Sequence, residues 1–178
     1  MALGSTVYKA GLNVSDMDRG YYCSHALTIA RHPSETAERM MVRLLAFAFN
    51  ASDFLSFGRG LSAEDEPDLW QKDLTGSISL WIEVSLPDER AVRKAASRAE
   101  KVIVYAYGGR AASVWWSQVE VKLSSIRNLE VYAIPAEASR TLGSVAERGM
   151  DLQCLIQEGS VWVSRGEESV SFSLERLR

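Results

Sequence analysis

What the chain lacks narrows its chemistry first. Two cysteines and two histidines in 178 residues leave almost nothing for zinc or thiol chemistry. Cys23 and Cys154 sit in separate apolar alternating stretches, with no Cys-x-x-Cys spacing and no neighbouring histidine ligand, so a reducing compartment fits and structural zinc does not. His25 and His32 lack an i+4 histidine, and core or capping roles suit both. No Gly-x-Ser-x-Gly elbow and no glycine-rich phosphate loop is present; Gly108-Gly109-Arg110 is a turn signal only. The start has no basic segment followed by an apolar core, and no apolar run approaches the ~20 residues that span a bilayer. The expectation is a cytoplasmic protein without a membrane partner. An excess of positive charge is missing too. The formal net charge is −3, whereas general affinity for nucleic acid rests on Lys and Arg neutralising phosphates. A nucleic-acid role therefore requires a local basic face.

What is present is an ordinary globular composition, 47% hydrophobic and 24% charged, long enough to bury roughly 70% of the unfolded chain's surface. No repeat, low-complexity tract or linker interrupts it, so residues 1–178 read as a single domain. Thr6 to Val14 and Tyr21 to Ala30 alternate around the turn residues Asp16 to Gly20, which predicts an antiparallel hairpin. A helix follows at 34–49, with Ser34 as N-cap and an apolar stripe so wide that the helix must be buried. A short strand is expected at 54–59, then an irregular acidic segment from Gly60 to Gly76 anchored by Trp70. The next elements are a strand at 78–86, a helix at 88–100, a strand at 102–107, a helix containing Trp115 and Trp116, a strand at 129–134 and a helix at 136–148. A meander at 152–157, 161–164 and 170–174 ends the chain. Strand–helix–strand–helix–strand implies right-handed crossovers and a partly parallel centre. The fold class is mixed α/β, a mixed sheet with β-hairpin additions.

The chemistry concentrates at Pro67-Asp68 and at the strand Ile78 to Leu86. Even positions of that strand are aliphatic, and period two places Glu83 with Trp81 and Ser85 on the other face. A carboxylate on a central strand loses water, so it must pair, bind metal or be protonated. Arg43, Arg59 and Arg110 are candidate partners for an ion pair. In the metal reading, Asp68 and Glu83 supply hard oxygens to one Mg²⁺ from two directions. Asp65 and Asp73 compete with Asp68 for that role. A nuclease site of this type places a lysine two residues after the strand acid, and Ser85 stands there instead. At 100° per residue Glu38 falls nearer the apolar stripe of its helix than Glu35, which makes it the candidate inward acid, against a plain role in the positively polarised first turn. The helix after Glu83 carries Arg90, Arg93, Lys94, Arg98 and Lys101 as one basic stripe. It would either lie along a phosphate backbone or form a solvated face paired with neighbouring acids. Lys94 or Lys101 would then replace the missing amine near a scissile phosphate.

Several stretches together resemble the YaeQ family: Arg-His-Pro-Ser-Glu-Thr-Ala-Glu-Arg-Met-Met (31–41), Gly-Leu-Ser-Ala-Glu-Asp-Glu-Pro-Asp-Leu-Trp (60–70), Leu-Trp-Ile-Glu (80–83), Leu-Pro-Asp-Glu-Arg (86–90) and Ala-Ser-Val-Trp-Trp (112–116). The resemblance covers nearly the whole chain. It implies a bacterial protein with a compact variation of the restriction-endonuclease-like PD-(D/E)xK core. Carried over by position, that pattern's loop acid is Asp68, its strand acid Glu83 and its first-helix acid Glu38, while its lysine has no match at Ser85. Three readings follow: a Mg²⁺-dependent phosphodiesterase with a relocated lysine, a catalytically inactive module binding nucleic acid or protein (through the basic helix or through Trp70, Trp115 or Trp116), and a regulatory or structural protein.

Overall fold

The computed structural model describes residues 4–59, 61, 63 and 65–178. Gly60, Ser62 and Glu64, part of the acidic segment, lie outside the described residues, as do residues 1–3. Among the described residues, two sheets and four helices build four layers. The first sheet contains β1 (Thr6–Asp16), β2 (Tyr21–Arg31), β8 (Gly149–Gln157), β9 (Ser160–Arg165) and β10 (Glu168–Ser173), in the order β10-β9-β8-β1-β2. The second contains β3 (Leu55–Phe57), β4 (Leu69–Lys72), β5 (Ile78–Val84), β6 (Ala99–Ala106), β7 (Leu129–Ala133) and β11 (Glu175–Arg176), in the order β11-β7-β6-β5-β4-β3. Helices α1 (Ala37–Asn50) and α4 (Ala136–Ser144) lie between the sheets, and α2 (Glu89–Arg98) and α3 (Arg110–Leu123) cover the far face of the second sheet.

The mixed α/β class and the parallel centre agree with the sequence, because β5, β6 and β7 are parallel neighbours joined by α2 and α3. The single-sheet expectation needs correction. The N-terminal hairpin and the C-terminal meander are not additions to the central sheet; β1 pairs in parallel with β8 and makes a second sheet of its own. Local alternation cannot reveal a pairing between strands more than 130 residues apart. The strand β4, inside the segment expected to be irregular, is also new: it forms a hairpin with β5 around Asp73.

Helix α1 explains the architecture. Every residue from Met40 to Ala48 is buried, as a helix sandwiched between two sheets requires. Its N-cap is Thr36, whose Oγ1 accepts from Arg39 N at 3.1 Å, rather than Ser34. Its last turn carries no basic residue. Arg19 of the β1–β2 turn supplies the cation instead, donating to the Ala51 and Ala48 carbonyls at 3.1 and 3.4 Å while Asp16 orients it. Helix α4 approaches α1 closely at Gly143, where an added Cβ would sit 2.9 Å from the Glu38 Cα. Cys23 and Cys154 are free; both are register partners of Val14 on the strand between them, which puts them about two strand spacings, ~10 Å, apart.

Candidate active site at the carboxyl ends of the parallel strands

The ladder between β4 and β5 pairs Trp70 with Trp81 and Leu69 with Ile82. Continuing that register by one step places Asp68 beside Glu83, on the face the two tryptophans share. The carboxyl ends of parallel strands β5 and β6 are close by, the usual location of ligand sites in α/β sheets. Asp68 is 4% exposed although charged. One of its oxygens accepts from Val84 N at 2.7 Å and the other from Arg39 Nη2 at 2.7 Å. Pro67-Asp68 thus ties the acidic segment both to the end of β5 and to the first turn of α1.

Arg39 is the hinge of a buried charge chain. Its second guanidinium nitrogen donates to Glu35 Oε1 at 2.9 Å. Glu35, 3% exposed, receives a two-pronged bond from Arg43 at 2.8 and 2.7 Å. Arg43 is 1% exposed and spends its remaining reach on the Ala30 carbonyl at 3.0 Å. The order Arg43–Glu35–Arg39–Asp68 alternates in sign and balances. Glu83 ends the chain as a third acid with no cation of its own. Its Oε1 accepts from Trp81 Nε1 at 2.7 Å, and its carboxyl meets that of Asp68. Burial pushes the Glu83 pKa up to about 7, and the negative charge of Asp68 adds to the shift; the Trp81 bond and the more distant Arg39 only partly oppose it. Near neutrality, Glu83 passes between its protonated and ionised forms.

Tyr107, just past β6, closes one side. Burial raises its phenol pKa, opposed by the Arg39 charge and by a hydrogen bond with Thr36. Ser85 has φ 100° and follows the last residue of β5, its N–H bonded to the Tyr105 carbonyl at 3.0 Å. The chain therefore leaves the strand at Ser85. Period two does not carry past Val84, so the alignment of Ser85 with Trp81 and Glu83 fails there.

The other candidates are distributed as follows. Glu38 faces α4, where Ser139 Oγ donates to it at 2.6 Å; the acid that joins the buried chain is Glu35. Helical angle misplaced the two because Glu35 precedes the N-cap and does not follow helical geometry. Lys94 pairs with Asp65. Lys101 pairs with Glu130 at 2.9 Å; it is the register partner of Leu80, on the sheet face opposite Glu83 and three strand residues, about 10 Å, away. Arg93 is bound to Glu89 and to the Lys122 carbonyl. Arg98 stacks 5.2 Å from the Trp81 ring and donates to the Asp65 carbonyl. Among the described residues Arg90 alone in the stripe makes no ion pair or side-chain hydrogen bond. Arg59 serves Glu66 and Arg43 serves Glu35, so neither is the partner of Glu83. Asp73 closes its own turn through Thr75 and Ser77. The residue missed in sequence is Arg39. The spacing of Glu35, Arg39 and Arg43 at i, i+4 and i+8 is the signal that marks it.

A family model described as "YaeQ protein" matches residues 1–174. The chain is 47% identical over 174 residues to "Uncharacterized protein YaeQ" of Salmonella typhi, covering 98% of this chain and 96% of that one. It is 44% identical, with the same coverage, to the Escherichia coli (strain K12) protein of that name. The crystal structure of YaeQ protein from Xanthomonas axonopodis pv. citri superposes with a TM-score of 0.95 at 48% identity, over 98% of each chain. That from Pseudomonas syringae gives 0.94 at 41% identity, over 98% and 96%. Shared sequence and shared fold over nearly the full length place this chain in the YaeQ family.

Proposed function

We propose that Asp68 and Glu83 hold a divalent cation and that the protein is a metal-dependent phosphodiesterase with a non-standard site, distantly akin to restriction-endonuclease-like nucleases. One observation carries the reading: three acids, the buried Glu35 and Asp68 and the half-buried Glu83, face two arginines, the buried Arg43 and the half-buried Arg39, and the acid left over, Glu83, stands beside Asp68 at the carboxyl edge of the parallel strands. A cation there would supply the missing positive charge. The donor set suits Mg²⁺, which takes one or two carboxylates from a protein and keeps several waters. Among the described residues no three His, Cys, Asp or Glu side chains converge as a metal cage, so the two carboxylates would share the ion with water. A bound Mg²⁺ would polarise a phosphoryl oxygen and acidify water.

The chain's own residues have separable tasks in this reading. Asp68 and Glu83 bind the ion. Arg39 and Val84 N hold Asp68 by both oxygens, and Trp81 holds Glu83 by one. Arg39 replaces Lys94 and Lys101 as the cation nearest the acids, because both lysines are committed elsewhere. Arg90 together with partly engaged Arg93 and Arg98 is the basic surface offered to a nucleic-acid substrate.

A second reading, a binding module without chemistry, draws on Ser85 at the lysine position and on the internally paired basic stripe. Calorimetric titration with Mg²⁺ and Mn²⁺, followed by incubation with single- and double-stranded DNA and RNA, separates the two. Saturable metal binding lost in Glu83→Gln, with metal-dependent cleavage, supports the phosphodiesterase. Metal binding without cleavage of any of the four substrates selects the binding module. No metal binding in the parent protein overturns the cation site.

A further inference from the structure

Among the described residues four strands form the edges of the two sheets, and three of them are blunted. β3 and β11 have three and two residues. β10 has six, begins with Glu168, and follows Gly166 and Glu167. Short edges and charged residues are the usual protection against pairing with another chain. β2 has neither. It runs for eleven residues, Tyr-Tyr-Cys-Ser-His-Ala-Leu-Thr-Ile-Ala-Arg, without proline, lysine, acid or bulge, in unbroken register with β1. Among the described residues, β1 is its sole strand neighbour.

The surroundings of this edge are aromatic. The β3 edge of the other sheet lies on the same flank, because Phe57 of β3 stacks on Phe47 at 5.6 Å and Phe47 meets His25 of β2 edge-on at 5.0 Å. Tyr21 stacks on His25. Tyr22 and Phe54 are 62% and 68% exposed. Among the described residues the β2 edge is met only near its C-terminal end, where Arg43 donates to the Ala30 carbonyl at 3.0 Å; a long edge flanked by exposed rings is unlike the remaining described edges of the molecule.

We infer that the β2 edge is a homodimer interface, in which two copies of the chain pair their β2 strands antiparallel about a two-fold axis to make one continuous ten-stranded sheet. A closed two-fold contact is required because the opposite edge, β10, is charged; head-to-tail joining of β2 to β10 would also propagate into a fibre. Antiparallel self-pairing centred on Ala26 sets Ser24 against Thr28, His25 against Leu27 and Tyr21 against Arg31. No like charges then face each other, and the smallest side chain sits on the axis. An eleven-residue edge is about 36 Å long. Its backbone strip, taken as about 10 Å wide, with two largely exposed aromatic rings adds to roughly 600 Å² per copy, or roughly 1,200 Å² in all, the lower bound for specific interfaces. The dimer is accordingly expected to be concentration-dependent.

Sedimentation equilibrium of the full chain from about 10 to about 500 µM tests this. The parent protein should shift from a 19.7 kDa species toward twice that mass. Ala26→Lys, which installs an edge lysine at an exposed position, and Phe54→Ser, outside the strand, should each weaken association by roughly tenfold or more. Both should keep the parent's melting temperature when measured as monomer. A parent protein that stays monomeric throughout the range overturns the inference. So does a dimer whose dissociation constant neither variant changes, since that interface lies elsewhere. Neither result bears on metal binding at Asp68 and Glu83.

Discussion

The position of Glu83 at the end of the charge chain makes its replacement by glutamine a quantitative test. In the folded protein the carboxyl titrates at about 7, against an ordinary value of 4.5. Unfolding releases it to the ordinary value, so between these two limits the folded state binds the extra proton. Stability from this group is therefore fully present below pH 4.5 and is lost as pH rises through 7. At 1.36 kcal/mol per unit, the ionised group weakens the fold by about 3 kcal/mol above pH 7. Glu83→Gln mimics the protonated acid: its carbonyl can accept from Trp81 Nε1, and its amide can donate to Asp68. The variant should match the parent near pH 4.5 and exceed it at pH 8.5 by up to about 3 kcal/mol. For a chain of this length that is a rise in melting temperature of roughly 6–12 °C. Thermal melts in chelator at pH 5 and 8.5 provide the assay, and a Mg²⁺ arm should raise the parent alone. A variant that melts at or below the parent at pH 8.5 would falsify the account, because Glu83 would then carry a favourable charge interaction that the structure does not contain.

Three further outcomes are expected. Glu35→Gln should lower the unfolding free energy by about 3–5 kcal/mol in urea denaturation, because it leaves the buried Arg43 guanidinium uncompensated; a loss under 1 kcal/mol would show that the chain relaxes around it. Gly143→Ala should destabilise by about 1–3 kcal/mol despite the better helix propensity of alanine, since its Cβ would lie 2.9 Å from the Glu38 backbone; a raised melting temperature would show that α1 and α4 separate at no expense. Ser85→Val should lose about 1–3 kcal/mol and Ser85→Gly little or nothing, because φ 100° suits glycine and strains a β-branched residue; equal melting of both variants would contradict that conformation.

The fold was legible wherever the signal was local. Alternation in β1 and β2, the wide apolar stripe of α1, and the strand–helix alternation from β5 to β7 each follow from periodicity over ten or so residues. Pairings between distant segments were not. The partnership of β1 with β8 depends on matched inner faces, Leu12 against Leu152 and Val14 against Cys154, and many other strands offer equally apolar faces. β4 was obscured because it has four residues and follows an acidic run whose composition suggests loop.

The candidate site divides along the same line. Glu83 was visible because an acid in a strand of aliphatic residues conflicts with its surroundings, and such conflicts mark either ligands or ion pairs; Asp68 stood in an acidic segment where Asp65 and Asp73 competed with it. Of the two readings of the basic stripe, the contacts favour pairing with neighbouring acids over a free amine near Glu83; helical phase identifies the outward stripe of α2 but not what folds over it. The acidic segment does so: Asp65 takes Lys94, and the Asp65 carbonyl takes Arg98. Arg39 went unnoticed for the opposite reason, since an arginine in the first turn of a helix ordinarily faces water. Here Glu35 lies one turn before it and Asp68 comes in from the other strand hairpin, so the guanidinium bridges two buried acids. The chain thus spends its cations in neutralising Glu35 and Asp68 and leaves the last acid unmatched. An unmatched carboxyl beside a fixed carboxylate persists in a fold only if it is protonated or if another cation arrives. Those alternatives differ in their response to pH and to Mg²⁺, and Glu83 is the residue at which they part.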